Sequence, residues 1–271
     1  MMDATKSTRE GSKGRVPVTQ TLERGLEVLR AFHNDIKPLA NRTLVERTGL
    51  PKATVSRITS TLVRLGYLAR VASTGRYQLG TGMLSIGNAF LGGSSTRRVA
   101  LPIMEELAAR HDVSVGLAIP DRLNIIYTIW CRSPKTLTLR LTAGSILPMS
   151  RSAVGTACLW ALSPGFRGER LAQIKKQEGS EAGPIIDSIQ AAFDDLDHNG
   201  FCVRIAEFQK DTFGVAVPLV FGGGSTIMAL GCGAARLEVK EAALRSVIAP
   251  DLIRTAAKLQ TAISATLNLN K

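Results

Sequence analysis

The chain has 271 residues, 45% hydrophobic and 21% charged, and a formal net charge of +12. This composition excludes a disordered or fibrous chain and suffices for one large domain or two ordinary ones, two being the better expectation. The charge is uneven. Residues 1–80 hold 14 Lys and Arg against 6 Asp and Glu, and no acidic residue falls between Glu46 and Glu105, where Arg47, Lys52, Arg57, Arg64, Arg70, Arg76, Arg97 and Arg98 lie. A basic, acid-free stretch suits a polyanion, because neutralised phosphates release condensed counterions.

Residues 1–15, MMDATKSTREGSKGR, read as an unstructured tail. Over residues 19–34, Leu22, Leu26, Leu29 and Phe32, with Val28 beside them, recur at helical spacing, and Thr19 or Thr21 can cap the start. After Pro38, Asn41 reads as the N-cap of a short helix over residues 42–48, closed by Gly49 in the left-handed conformation. Pro51 then takes the first position of a third helix, in which Val55, Ile58, Leu62 and Leu65 form an apolar stripe expected in the core. The opposite face carries Lys52, Ser56, Arg57, Ser60 and Arg64, with Ala53 and Thr54 on the exposed first turn and Arg42 on the preceding helix. Short hydroxyls and long cations reach phosphates and base edges, whereas an ordinary solvated face mixes Glu with Lys.

Two extended pieces, residues 67–72 and 76–79, flank Ser73-Thr74-Gly75 and read as a hairpin with Arg70 and Arg76 on its rim. Helix, short helix, turn, helix and basic hairpin is the order of a winged helix-turn-helix module, which places its second motif helix in a DNA major groove. The plain alternative is a three-helix domain with an incidental hairpin. Residues 80–95 read as a linker helix ending in a Gly-Gly-Ser-Ser joint, so that residues 16–79, 80–95 and 96–271 form module, linker and second domain.

The second domain opens with an amphipathic helix over residues 96–110, through Val99, Ile103, Leu107 and Ala108, which Pro102 can kink. Strands are expected over residues 113–119, 123–130, 136–142, 213–221 and 226–232, and helices over 153–162, 168–177 and 184–197, with one or two more over 238–267. An antiparallel sheet flanked by helices makes this an α+β domain. Residues 212–235 are uncharged, but Pro218 and the run Phe221-Gly222-Gly223-Gly224-Ser225 favour two strands around a turn over a membrane span. With no apolar N-terminal run, and with Cys131, Cys158, Cys202 and Cys232 lacking any CxxC spacing, a reducing cytoplasm is the expected compartment.

Catalytic and metal signatures are missing. His33, His111 and His198 are scattered and read as surface residues, and the sequence contains no HExxH, GxxxxGK[ST] or GxSxG. No enzyme, cofactor or metal is therefore expected. Residues 144–155, GSILPMSRSAVG, read as a strand end and turn opening a helix, whose first amides favour an anion, as many ordinary caps do.

Several separated segments resemble the IclR-type transcriptional regulators. Residues 22–29 (LERGLEVL) resemble their first helix, residues 48–57 (TGLPKATVSR) their turn and recognition helix, and residues 75–80 (GRYQLG) their wing and its exit. Leu147-Pro148 with Ala153-Val154-Gly155, and Gly214 through Pro218 followed by residues 229–233, resemble the family's GAF-like effector domain. The resemblance spans about residues 16–265 and implies a regulator that binds a roughly palindromic double-stranded operator as a homo-dimer or tetramer and answers to a small-molecule effector. Carried over position by position, it puts the effector pocket at Ser152, Ala153, Val154 and Gly155, near Arg204 and Ile205 on a loop before Glu207, and at Gly214, Gly231 and Gly233. Gly231 and Gly233 stand where acid-binding members carry small polar side chains, and Arg204 and Ile205 where they carry an acidic residue. That departure implies a roomier, less polar site for an effector such as an aromatic acid paired with Arg204. The rival readings are an enzyme built on the second domain and a sequence-independent architectural DNA-binding protein.

Overall fold

The computed structural model of the chain describes residues 19–33, 37–132, 141–207, 212–235 and 240–269. The chain divides into two compact units, residues 1–87 and 88–271. The expected tail at residues 1–15 lies outside the described residues, as does the expected strand over 136–142 except for Leu141 and Thr142, which are in no strand.

The first unit contains α1 (Gln20–Arg30), α2 (Asn41–Thr48), α3 (Lys52–Arg64) and the hairpin β1 (Leu68–Arg70) and β2 (Tyr77–Leu79). Its core is small: Val28, Phe32, Leu39, Leu44, Val55 and Leu68, with Ile58 and Leu62 partly buried against them. The expected stripe of α1 is corrected here, since Leu22 and Leu26 are exposed and only Val28, Leu29 and Phe32 meet the core. The stripe of α3 also shifts. Leu65 is 58% exposed, whereas Thr59 is wholly buried and returns its hydroxyl proton to the Val55 carbonyl at 3.0 Å. A Thr can sit in a helix core because its hydroxyl finds the i−4 carbonyl, which apolar counting does not register.

Asn41 is the first residue of α2 and not its cap. Its Nδ2 donates to Ser56 Oγ at 3.4 Å and so links α2 to α3. Gly49 closes α2 at φ +66°, with its N–H donating to the Val45 carbonyl, and Pro51 caps α3 from one position before the helix. The hairpin gains a third member, because Leu39 and Tyr77 exchange both backbone hydrogen bonds, at 2.7 and 2.8 Å.

Helix α4 (Thr81–Gly93) buries no residue and leaves Leu84, Ile86 and Phe90 exposed; the chain breaks at Ser94, whose side chain caps α5 (Ser95–His111). The second unit is a six-stranded antiparallel sheet in the order β5-β4-β3-β8-β7-β6. Its strands are β3 (Ser114–Asp121), β4 (Asn124–Cys131), β5 (Ile146–Pro148), β6 (Cys202–Ile205), β7 (Thr212–Phe221) and β8 (Thr226–Ala235). One face packs on α5 and α10 (Ala249–Leu269), which follows the short α9 (Glu241–Ala243), the other on α6 (Ala153–Ala161), α7 (Pro164–Glu178) and α8 (Ala182–Asn199). In α5 the buried residues are Ala100, Met104, Leu107 and Ala108, so the stripe expected through Val99 and Ile103 is rotated by one position. β6 had no counterpart in the sequence reading: Arg204 and Ile205, expected on a loop, are in a strand paired with β7.

The pairing of β4 with β3 is irregular. A bulge between Leu117 and Ala118 pairs Leu117 with Ile129 and Ala118 with Tyr127, leaving Thr128 as the extra residue. Its hydroxyl donates to the Leu117 carbonyl. The extra residue reverses the alternation, so Tyr127 and Trp130 face the same side. His111 is not a surface residue: it is largely buried, 2.6 Å from the Asp251 carboxylate.

Candidate functional site

The first candidate surface is the outer face of α3. Lys52, Ala53, Arg57, Ser60 and Arg64 are exposed, while Thr54 and Ser56 are half-buried. Ser60 donates its hydroxyl proton to the Ser56 carbonyl at 2.8 Å, and Ser56 accepts the hydrogen bond from Asn41. No acidic side chain stands on α3, so its cations face solvent with nothing on their own helix to neutralise them. Arg42 on α2 forms an exposed i,i+4 ion pair with Glu46 at 2.8 Å. Such a pair contributes well under about 1 kcal/mol and yields readily to a phosphate. On the wing, Arg76 is exposed and Arg70 reaches back to the Gly75 carbonyl at 3.4 Å across a turn in which Gly75 has φ +66°. An apolar stripe thus fixes one face of α3 to a core and turns the other outward beside a basic hairpin.

The second candidate site is a cavity in the second unit, about 50 Å³ in volume, or about 480 Å³ when the open solvent of its mouth is counted. Its inner side is the sheet face carrying Gly214 and Gly233, paired with each other across β7 and β8. Ala153 and Val154, at the start of α6, form a second side, and Tyr127, Trp130, Leu141 and Leu147 a third. Ser152 caps α6, accepting from the Gly155 N–H at 3.1 Å while donating to the Pro148 carbonyl at 2.9 Å. The next amides, of Ala153 and Val154, occupy the first helical turn, where backbone donors have no acceptor inside the helix. Tyr127 and Trp130 meet edge to face, centroids 4.8 Å apart, and Gly116 opposite them has no room for a Cβ, which would lie 2.4 Å from the tyrosine ring. Burial pushes the Tyr127 phenol far above its ordinary range, so it remains neutral.

Arg204 closes the cavity at the β6 end and is 5% exposed. Its Nη1 donates to Thr156 Oγ1 and its Nη2 to the Ser150 carbonyl, both at 2.9 Å, and Nη2 lies 3.2 Å from Glu207 Oε2. Glu207 accepts in turn from Ser188 Oγ at 2.6 Å. A buried guanidinium is tolerable only with such partners.

Of the expected effector residues, Ser152, Ala153, Val154, Arg204, Gly214 and Gly233 line this cavity; Gly155, Ile205 and Gly231 do not. A Cβ on Gly155 would lie 2.4 Å from the Met149 Cα, so this glycine permits the tight turn into α6. Gly231 lies under Val154, which would be 2.9 Å from an added Cβ, so the extra space inferred there is already filled. Ile205 packs against the core on the opposite face of the sheet. Sequence reasoning missed Tyr127 and Trp130, whose shared orientation depends on the bulge, and also Leu141, Arg151, Glu207 and Thr212.

Among the described residues, no group of three or more His, Cys, Asp or Glu side chains is placed to hold a metal ion, and no helix is long and apolar enough to cross a membrane.

A winged helix-turn-helix unit followed by an α+β unit with an open cavity defines a class, the DNA-binding regulator with a separate second domain. The family models for the IclR helix-turn-helix domain and the bacterial transcriptional regulator IclR C-terminal domain match residues 21–72 and 89–261, and the chain belongs to this family of DNA-binding transcription regulators. It is similar to the HTH-type transcriptional regulator TsaQ1/TsaQ2 of Comamonas testosteroni, 34% identical over 211 residues, covering 77% of this chain and 76% of the relative. An IclR family regulator from Brucella abortus superposes with a TM-score of 0.84 at 37% identity, covering 91% of this chain and 93% of that one. An IclR homologue from Microbacterium hydrocarbonoxydans, solved with 4-hydroxybenzoate, shares the fold with a TM-score of 0.66 at 22% identity, covering 90% and 99%.

Proposed function

We propose that the chain reads a roughly palindromic operator through α3 and that a small organic acid, bound in the cavity beside α6, modulates this binding. The supporting observation is the exposed, acid-free face of α3 on an otherwise anchored helix. Lys52, Ala53, Thr54, Ser56, Arg57 and Ser60 are assigned to the major groove. Arg42 and Arg64 are assigned to flanking phosphates, and Arg70 and Arg76 to the backbone under the wing. A homo-dimer or tetramer acting in the cytoplasm matches a two-fold operator. The effector shifts operator affinity only by its differential affinity for the DNA-competent arrangement, typically about 1 to 3 kcal/mol.

The test is a gel-shift titration of the full chain with DNA from upstream of its own gene against scrambled competitor, at two salt concentrations and with or without aromatic acids. 4-Hydroxybenzoate, the ligand of the Microbacterium homologue, is the first acid to try. Preference for the upstream DNA, changed at least fivefold by an acid, supports the reading. Equal binding of both DNAs at every salt would leave only a sequence-independent DNA-binding protein.

A further inference from the structure

Three glycines join the end of α3 to the start of α4. Gly66, at φ +78°, turns the chain after α3, its N–H donating to the Val63 carbonyl and that of Tyr67 to the Leu62 carbonyl. The Gly66 carbonyl accepts from the Gly82 N–H at 3.1 Å, and the Tyr67 carbonyl from the Gly80 N–H at 2.8 Å. Amides in the first turn of a helix have no acceptor inside it. In α4 one of them is satisfied by the chain leaving α3, a backbone cap in place of a side chain.

No Cβ fits into this joint. At Gly80 it would lie 2.3 Å from the Gly66 oxygen and 3.0 Å from the Gly66 and Tyr67 carbonyl carbons, so backbone meets backbone. At Gly82 it would lie 2.9 Å from Cδ1 of the Tyr67 ring. Gly87, Gly92 and Gly93, further along the same helix, have nothing within 4 Å of such an atom. The close packing is therefore confined to the first turn, where α4 meets α3, and is not a general property of a glycine-rich helix. Because β2 ends at Leu79, the wing also leaves through this point.

A contact of carbonyl against glycine, fastened by two backbone hydrogen bonds, has no side-chain rotamers with which to absorb movement. The chain passes from the first unit to the second through α4, so the direction in which α4 departs is tied to the direction of α3.

Resting on the proposed reading of a two-fold operator by two copies of the chain, we propose that Gly66, Gly80 and Gly82 are positioning residues that set which half-site spacing is accepted. They act through α3 and not by contact with bases. A rigid joint concentrates the second reading helix at one spacing, whereas a loose one spreads the same effective concentration over several.

The experiment uses the full-length protein and DNA from upstream of its own gene, on which hydroxyl-radical footprinting locates the half-sites. Three duplexes are compared in gel-shift titrations. One has both half-sites at native spacing, one has about 5 extra base pairs that turn them to opposite faces, and one has a single half-site with the other scrambled. We expect the parent to bind the native spacing roughly 100-fold tighter than the lengthened one. Gly82→Ala should bind the single half-site within about twofold of the parent, while its preference for native spacing falls about tenfold. Gly87→Ala, on the same helix in open space, should match the parent on all three duplexes. Tyr67→Ala opens the joint from the other side and should also reduce the spacing preference, whereas Tyr67→Phe, which retains the ring, should not. If Gly82→Ala fails to fold by circular dichroism, the two Tyr67 variants decide. A spacing preference that survives Gly82→Ala and Tyr67→Ala, or an equal loss on the single half-site and the pair, overturns the positioning role and leaves operator reading by α3 standing. If the parent binds all three duplexes alike, the two-fold reading falls, and the positioning role with it.

Discussion

The two units handle cationic side chains in opposite ways. On α3 and the wing, Lys52, Arg57, Arg64 and Arg76 are exposed, and the small core behind them contains no charged group. In the second unit Arg204 is buried and held by Thr156, the Ser150 carbonyl and Glu207. The difference follows from the partner each unit is assigned. A phosphate chain brings many charges and is met at a hydrated surface, whereas a single small anion must be held by donors already desolvated and fixed.

Four variants would break or sharpen this contrast. The largest effect is expected from Arg204→Met, which leaves Glu207 buried in part without its cation and Thr156 without its donor. Thermal or urea unfolding should show a loss of about 3 to 5 kcal/mol. A loss below about 1 kcal/mol would mean that the guanidinium is not an integral part of the fold. Next, Lys52→Ala with Arg57→Ala should weaken operator binding by roughly 100-fold in a gel shift, at about 1 to 3 kcal/mol per specific contact, with stability nearly unchanged. A drop in stability instead would give these cations a structural role. The wing pair Arg70→Ala and Arg76→Ala should weaken operator and scrambled DNA alike. It should also lower the slope of log affinity against log salt by about 2, read from titrations at several salt concentrations.

The smallest effect concerns the ion cluster between α5 and α10. The hydrogen bond from His111, followed by those from Arg254, lowers the Asp251 carboxyl to about 2 against the opposing effect of burial. Arg110 faces it from α5, and Glu106 pairs with Arg110. Because this carboxyl ionises more readily in the folded chain than in the unfolded one, its contribution is complete above about pH 4 and is lost as pH falls towards 2. Asp251→Asn should therefore lower the urea midpoint at pH 6, and the gap from the parent should narrow by pH 2.5. An unchanged gap at both pH values would show that the ionised carboxylate contributes nothing.

Where local pattern and fold agree, the sequence was sufficient. The order of α1, α2, α3 and hairpin, the left-handed Gly49, and the pair β7 and β8 around Gly222–Gly224 all follow from periodicity and turn chemistry. The failures come from features with no local signature. Thr59 takes a core position because its hydroxyl is satisfied by its own helix, and Leu65 loses one because α3 ends before it. Arg204 reads as a loop cation because nothing nearby announces that β6 pairs with β7. The aromatic side of the cavity was hidden for a similar reason, since strict alternation sends Tyr127 and Trp130 to opposite faces and only pairing with β3 shows the extra residue. Positions carried over by resemblance located the start of α6, while Gly155 and Gly231 proved to be packing glycines next to the cavity.

The bridge between Leu39 and Tyr77 bears on how the first unit searches for its site. It fastens the wing to the segment that enters α2, and α2 is fastened to α3 through Asn41 and Ser56. Wing, α2 and α3 are therefore linked to one another by hydrogen bonds, so under the proposed reading of the operator the wing and the outer face of α3 are presented to the duplex together.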